Sequence, residues 1–136
     1  MINEFAKAVA DRVNEAREAE SNDDIDTAVK LYEENIKSGY PDQYSFDRLM
    51  VLYRKQKKYK DELRVINRGI KVFTDDYARR QKGQISEARN KKQVTALSNA
   101  IMQKSGLKDK KGNDTYVPEP LNKWMKRKQT VEKRLS

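Results

Sequence analysis

Ile25-Asp26-Thr27-Ala28-Val29-Lys30-Leu31-Tyr32-Glu33-Glu34-Asn35-Ile36 is echoed 34 positions later by Tyr59-Lys60-Asp61-Glu62-Leu63-Arg64-Val65-Ile66-Asn67-Arg68-Gly69-Ile70. The apolar positions coincide. Ile25 falls on Tyr59, Val29 on Leu63, Leu31 on Val65, Tyr32 on Ile66 and Ile36 on Ile70. A fixed period of this size marks stacked helix-turn-helix units. Arrays of that kind present a surface rather than an enclosed active site.

Helix signals spread outward from this echo. Phe5, Ala8/Val9, Ala16 and Ala19 recur at helical spacing and predict a helix over residues 3–20. Ser21-Asn22-Asp23-Asp24 interrupts it with residue types that cap the next helix start. The second helix is expected over 24–38 and should end at Gly39-Tyr40-Pro41, a left-handed C-cap followed by a residue that cannot continue the helix. Tyr44, Phe46, Leu49, Met50, Leu52 and Tyr53 make the third helix, 42–56, the most apolar. The fourth, 59–73, carries Tyr59, Leu63, Ile66 and Ile70, and Thr74-Asp75-Asp76 reads as the cap of a further helix. Residues 76–105 hold sparse apolar positions and no proline. They read either as one long helix or as a degenerate third unit turning at Asn90-Lys91-Lys92. Gly106-Leu107 is another C-cap signature, and residues 106–120 read as a loop. A last amphipathic helix, within 121–136, sets Leu121, Trp124/Met125, Val131 and Leu135 on one stripe.

Over residues 12–73 the chain resembles the tetratricopeptide repeat (TPR) family as two units. Ala16 and Ala28 occupy the family's small positions in the first unit, with Tyr32 at the aromatic position that comes next. Phe46, Leu49, Tyr53 and Tyr59 match in the second, and Tyr53-Arg54-Lys55-Gln56-Lys57-Lys58-Tyr59 looks like the family's helix-turn-helix joint. Met50 and Glu62 replace two expected small residues, and Asn35 and Gly69 stand where alanine is common. The resemblance implies an all-α fold of antiparallel helical hairpins, stacked as a short TPR-like solenoid. The body would cover residues 1–105, with units at about 9–42 and 43–76 and the helix or degenerate unit 76–105. Two units leave an apolar face uncovered. Residues 76–104 are therefore expected to stack on the second unit, and the Trp124 helix to dock back as a C-terminal capping extension.

Composition narrows the chemistry. There is no cysteine and no histidine, so Cys/His catalysis, Cys/His zinc sites and a histidine switch are excluded. No apolar run reaches the ~18–20 residues that span a membrane. The start, Met1-Ile2-Asn3-Glu4-Phe5, shows no basic-then-apolar leader pattern, and a cytoplasmic protein is expected. Charge is strongly polarised. Residues 1–47 hold 5 basic and 12 acidic residues, whereas 48–136 hold 25 basic and 9 acidic. Such a field steers anionic partners to one end. Asp23, Asp24 and Asp26 are explained by helix capping. Asp109-Lys110-Lys111-Gly112-Asn113-Asp114 puts lysine where a calcium loop needs a ligand, so no metal or cofactor is expected. No carboxylate pair or activated nucleophile is marked by spacing, and no enzyme is expected.

The family resemblance further implies a concave surface lined by the first helix of each unit. Carried over by position, it includes Val13 and Arg17 from the first unit, and Tyr44, Asp47, Val51, Arg54 and Lys55 from the second. Some family members grip acidic C-terminal tails, but Val13, Asp47 and Val51 stand where that grip needs polar or basic residues, so it is not expected. The expected function is a non-catalytic adaptor or scaffold that binds a protein or peptide with acidic groups. The alternative is a basic accessory protein that binds nucleic acid through Lys55-Gln56-Lys57-Lys58-Tyr59-Lys60 and the Arg79, Arg80, Lys82, Arg89, Lys91 and Lys92 face. A monomer, or weak self-association between the acidic and basic ends, is expected.

Overall fold

The computed structural model describes residues 3–82 and 117–136. Within them lie five helices and no strand: α1 (Glu4–Ser21), α2 (Ile25–Lys37), α3 (Gln43–Lys55), α4 (Tyr59–Lys82) and α5 (Leu121–Leu135). Short polar side chains start the first three. Asn3 Oδ1 accepts from Phe5 N at 2.6 Å, Asp24 Oδ1 from Thr27 N at 3.3 Å, and Asp42 Oδ2 from Ser45 N at 3.2 Å. Each satisfies a backbone donor that the first turn leaves free.

The 34-residue period extends to the backbone of the two hairpin turns. Asp23 and Lys57 both adopt left-handed dihedrals, with φ of 60° and 59°. Asp23 N donates to Glu20 O at 3.0 Å and Asp24 N to Ala19 O at 2.8 Å. The same bonds recur as Lys57 N to Arg54 O at 3.0 Å and Lys58 N to Tyr53 O at 2.9 Å. These are helix-terminating bonds that satisfy the last carbonyls and reverse the chain. After α2 the left-handed position is taken by Gly39, at φ 80°.

Neighbours in sequence pack against each other from α1 to α5. The core is one cluster running through Ala16, Ala28, Tyr32, Phe46, Leu49, Met50, Val65, Ile66 and Trp124. Ala16 and Ala28 are wholly buried where α1 meets α2. One repeat position then does two different jobs. In the first unit Asn35 is buried. It accepts from Arg12 Nε at 2.6 Å and donates to Val9 O at 3.2 Å and to Ser45 Oγ at 3.0 Å, so it ties α1, α2 and α3 together. In the second unit the same position is Gly69, and Trp124 fills the space a side chain would take. A Cβ there would lie 2.9 Å from the Trp124 ring and 3.1 Å from Phe46. Trp124 also packs on Phe46 and Phe73, with centroids 5.5 and 5.0 Å apart. Helix α5 runs antiparallel to α4. Pro120 and Leu121 lie beside Phe73 and Tyr77, Trp124 covers Gly69, Arg127 reaches Glu62 and Arg134 reaches Tyr59.

One boundary needs correction. Helix α4 does not stop near residue 73, and Thr74-Asp75-Asp76 does not cap a new helix: α4 continues unbroken to Lys82. The acidic side chains form ion pairs along the helix. Asp75 takes Lys71 at 3.4 Å, and Asp76 takes Arg80 at 3.0 Å and Arg79 at 3.6 Å. Continuation also places Phe73 and Tyr77 on the face that the stretch entering α5 covers. The rest of the expected 76–105 element, its turn at 90–92, the Gly106-Leu107 cap and most of the 106–120 loop lie outside the described residues.

These backbone and packing details have consequences for stability. Gly69→Ala should destabilise by about 1–3 kcal/mol, because a packed indole cannot yield without opening the contact. Denaturant unfolding monitored by the emission of the single tryptophan reads both the loss and any change in its burial. Lys57→Gly should stabilise by about 0.5–1 kcal/mol, since lysine carries a left-handed penalty that glycine escapes. Asp23→Gly should gain less, as aspartate tolerates this conformation better.

Candidate functional site

Tyr44, Asp47, Val51, Arg54 and Lys55 succeed one another at helical spacing and share one face of α3. Helix α1 flanks that face on one side and α5 on the other. Tyr44 is 39% exposed, and the Arg17 guanidinium of α1 sits over its ring at 5.6 Å. Arg48 bonds Glu20 of α1, which also accepts from Tyr32 Oη at 2.6 Å. On the other side Asp47 accepts from Trp124 Nε1 at 2.7 Å and from Lys123 Nζ at 3.0 Å. Arg54 lies with Arg127 of α5 around Glu62. Val51 and Val13 are half-buried, and Lys55 is exposed.

The structure therefore divides the residues expected from the sequence. Arg17, Tyr44 and Lys55 present polar and aromatic surface to solvent. Asp47 is committed to the docked α5, and Arg54 is committed in part to Glu62. Five further residues belong to the face: Glu20, Arg48, Glu62, Lys123 and Arg127. Glu62 had a sequence signal, a charged residue at a small-residue position of the repeat. The others had none beyond the basic character of their helices.

Six cations (Arg17, Arg48, Arg54, Lys55, Lys123 and Arg127) meet three carboxylates (Glu20, Asp47 and Glu62) on this face, and every carboxylate already holds a cation. The surface thus has a positive excess. Burial works to raise the Glu20 carboxyl, but hydrogen bonds from Arg48 and Tyr32 outweigh it and hold Glu20 below the usual carboxylate range. Burial and the bond to Glu20 push the Tyr32 hydroxyl far up, so it stays a proton donor.

On the far side, between α2 and α4, an open depression of about 540 Å³ is lined by Lys30, Glu33, Glu34, Ile36, Lys37, Arg64 and Arg68. Its arginines are engaged. Arg64 pairs with Glu33 at 2.5 Å, and Arg68 donates to the α2 carbonyls of Ile36 at 3.3 Å and Lys37 at 3.4 Å. Their work there is to join the two units. The face of α1, α3 and α5 is the one with cations left over.

The depressed Glu20 has a pH consequence. Its folded-state affinity for a proton is lower than in the unfolded chain, so it contributes stability above the ordinary carboxylate range, and that contribution fades as pH falls through the depressed value. Glu20→Gln should therefore lower the urea midpoint near pH 7. The gap from wild type should shrink as the pH falls through and below the ordinary carboxylate range. A gap that stays constant across the range would show that the ion pair contributes nothing.

Comparison of the chain with protein-family models, with curated proteins and with solved structures finds no match.

Proposed function

We propose that the chain is a non-catalytic, TPR-like adaptor of the cytoplasm. In this reading it binds an acidic segment of a partner protein along the face made by α1, α3 and α5. One observation carries it: exposed Arg17, Tyr44 and Lys55 and half-buried Val51 lie on a face with more cations than carboxylates. An extended segment finds apolar contact at Val51 and Tyr44 and charge on either side. Helical arrays use such long surfaces for recognition. No helix among the described residues is long and apolar enough to cross a membrane.

The nucleic-acid alternative draws on exposed Lys57, Lys58, Lys60, Lys126 and Lys133. It is weaker on one particular. Tyr59, the aromatic within the basic run, is half-buried, with Arg134 over its ring at 5.4 Å. A base therefore has no open aromatic platform there.

The test is affinity capture from nuclease-treated extract with the wild-type chain, with Tyr44→Ala/Lys55→Glu, and with Lys30→Glu as a control on the opposite side. Both altered groove side chains are exposed, so the fold should hold. A protein retained by wild type and Lys30→Glu and lost from the double variant supports the groove. Nucleic acid recovered before nuclease, with all proteins lost after it, would reject the adaptor reading.

A further inference from the structure

Glu62 on α4 is wholly buried, and an arginine from each flanking helix reaches it. Arg54 of α3 donates Nε to Oε1 at 3.1 Å, and Arg127 of α5 donates Nε to Oε2 at 2.8 Å. Each guanidinium thus bonds the shared carboxylate through its inner N–H. The outer ends differ. Arg54 Nη2 lies 2.8 Å from Oε2, in ion-pair contact with Glu62 but out of hydrogen-bond geometry, and that atom is sealed from solvent. The Nη groups of Arg127 make no hydrogen bond to any described residue.

Two cations therefore share one anion. Burial lowers the proton affinity of the Arg127 guanidinium; Glu62 opposes this, Arg54 adds to it, and Asp47 also opposes it. The two side chains are 27% and 22% exposed, so a solute reaches part of each, though not Arg54 Nη2.

We propose that Arg54 and Arg127 form the anchoring subsite of the groove. A side-chain carboxylate of an acidic protein segment docks against the exposed parts of these two arginine side chains, while Glu62 holds both in place. The proposal rests on the groove as the protein-binding face and deepens that reading. A second carboxylate would match two cations with two anions, and the planar fork of arginine suits that geometry. A protein segment fits better than a phosphate backbone. Val51 stands one helical turn before Arg54 and Tyr44 two turns before Val51, on the same face of α3. An acidic residue at the anchor would place its apolar neighbours over them.

The probe is a short fluorescein-labelled peptide of alternating glutamate and leucine, with a glutamine-leucine counterpart, titrated against the full chain by anisotropy. The glutamate peptide should bind at least about tenfold more tightly than the glutamine one, the size expected for charge-assisted hydrogen bonds. Arg54→Gln and Arg127→Gln should each lose about tenfold, and Arg127→Lys should recover part of it. If the arginine variants bind like wild type while Tyr44→Ala weakens binding, the anchor is overturned and the groove survives. If the arginine variants weaken binding while Tyr44→Ala and Lys55→Glu do not, the anchor stands and the wider groove falls. No preference for glutamate, or displacement of the peptide by a single-stranded RNA at equal concentration, overturns both. Should either arginine variant fail to fold, nitrogen NMR of wild-type arginine side chains decides. The Arg54 and Arg127 Nε–H signals must move with the glutamate peptide and stay put with the glutamine one, and unmoved signals overturn the anchor.

Discussion

The missing side chain at Gly69 is the constraint on which the second half of the molecule depends. The first unit uses the same position, Asn35, to hold α3 through a hydrogen bond to Ser45. The second has no atoms to offer there, so contact must come from the partner helix. Trp124 supplies it, and the indole meets Gly69, Phe46 and Phe73 together. A ring of that size packs this close only where the opposing helix lacks a Cβ. Its polar end is also satisfied, since Nε1 donates to Asp47. The wall that α5 gives to the candidate site is thus a consequence of a packing choice made on α4.

Once α5 is seated, electrostatics on the two sides of α3 diverge. On the α1 side Arg48 finds Glu20, which also accepts from Tyr32. On the α5 side Arg54 finds another arginine, with Glu62 between them. Burying Glu62 costs desolvation, which the two guanidinium groups offset. Hydrophobic residues of similar volume could fill that space at least as stably. Retaining one buried carboxylate and two arginines is easier to understand if the surplus cation has work to do.

Much of the fold could be read in the sequence, and the places that could not have physical reasons. The 34-residue echo placed α2 and α4, because apolar spacing reports burial directly. Gly39 and the Asp24 cap were local signals with local consequences, whereas the Asp42 cap emerged only in the structure. The end of α4 misled, since Thr74-Asp75-Asp76 has the composition of a cap. An aspartate can cap a helix start or pair along a helix, and cations one turn downstream favour the second. Arg79 and Arg80 stand at those positions relative to Asp76. The left-handed Lys57 carried no signal at all, as lysine is a poor marker for that conformation. For the site, the family resemblance pointed to Tyr44, Val51 and Lys55 of α3. It could not show that Asp47 is occupied, or that Arg127 meets a carboxylate 65 positions earlier. Such pairs exist only after the helices dock.

The asymmetry of the face traces back to composition. Helix α1 carries Glu4, Asp11, Glu15, Glu18 and Glu20 against three basic residues, whereas α5 carries six basic residues and a single acidic one, Glu132. Arg48, which α3 turns toward α1, meets Glu20, whereas Arg54, turned toward α5, shares Glu62 with Arg127. Sequence polarity along the chain becomes, through the order of stacking, a gradient across the groove. Ion pairs at the α1 wall hold the helices together. At the α5 wall two arginines share the one buried carboxylate of Glu62, so the local charge stays positive.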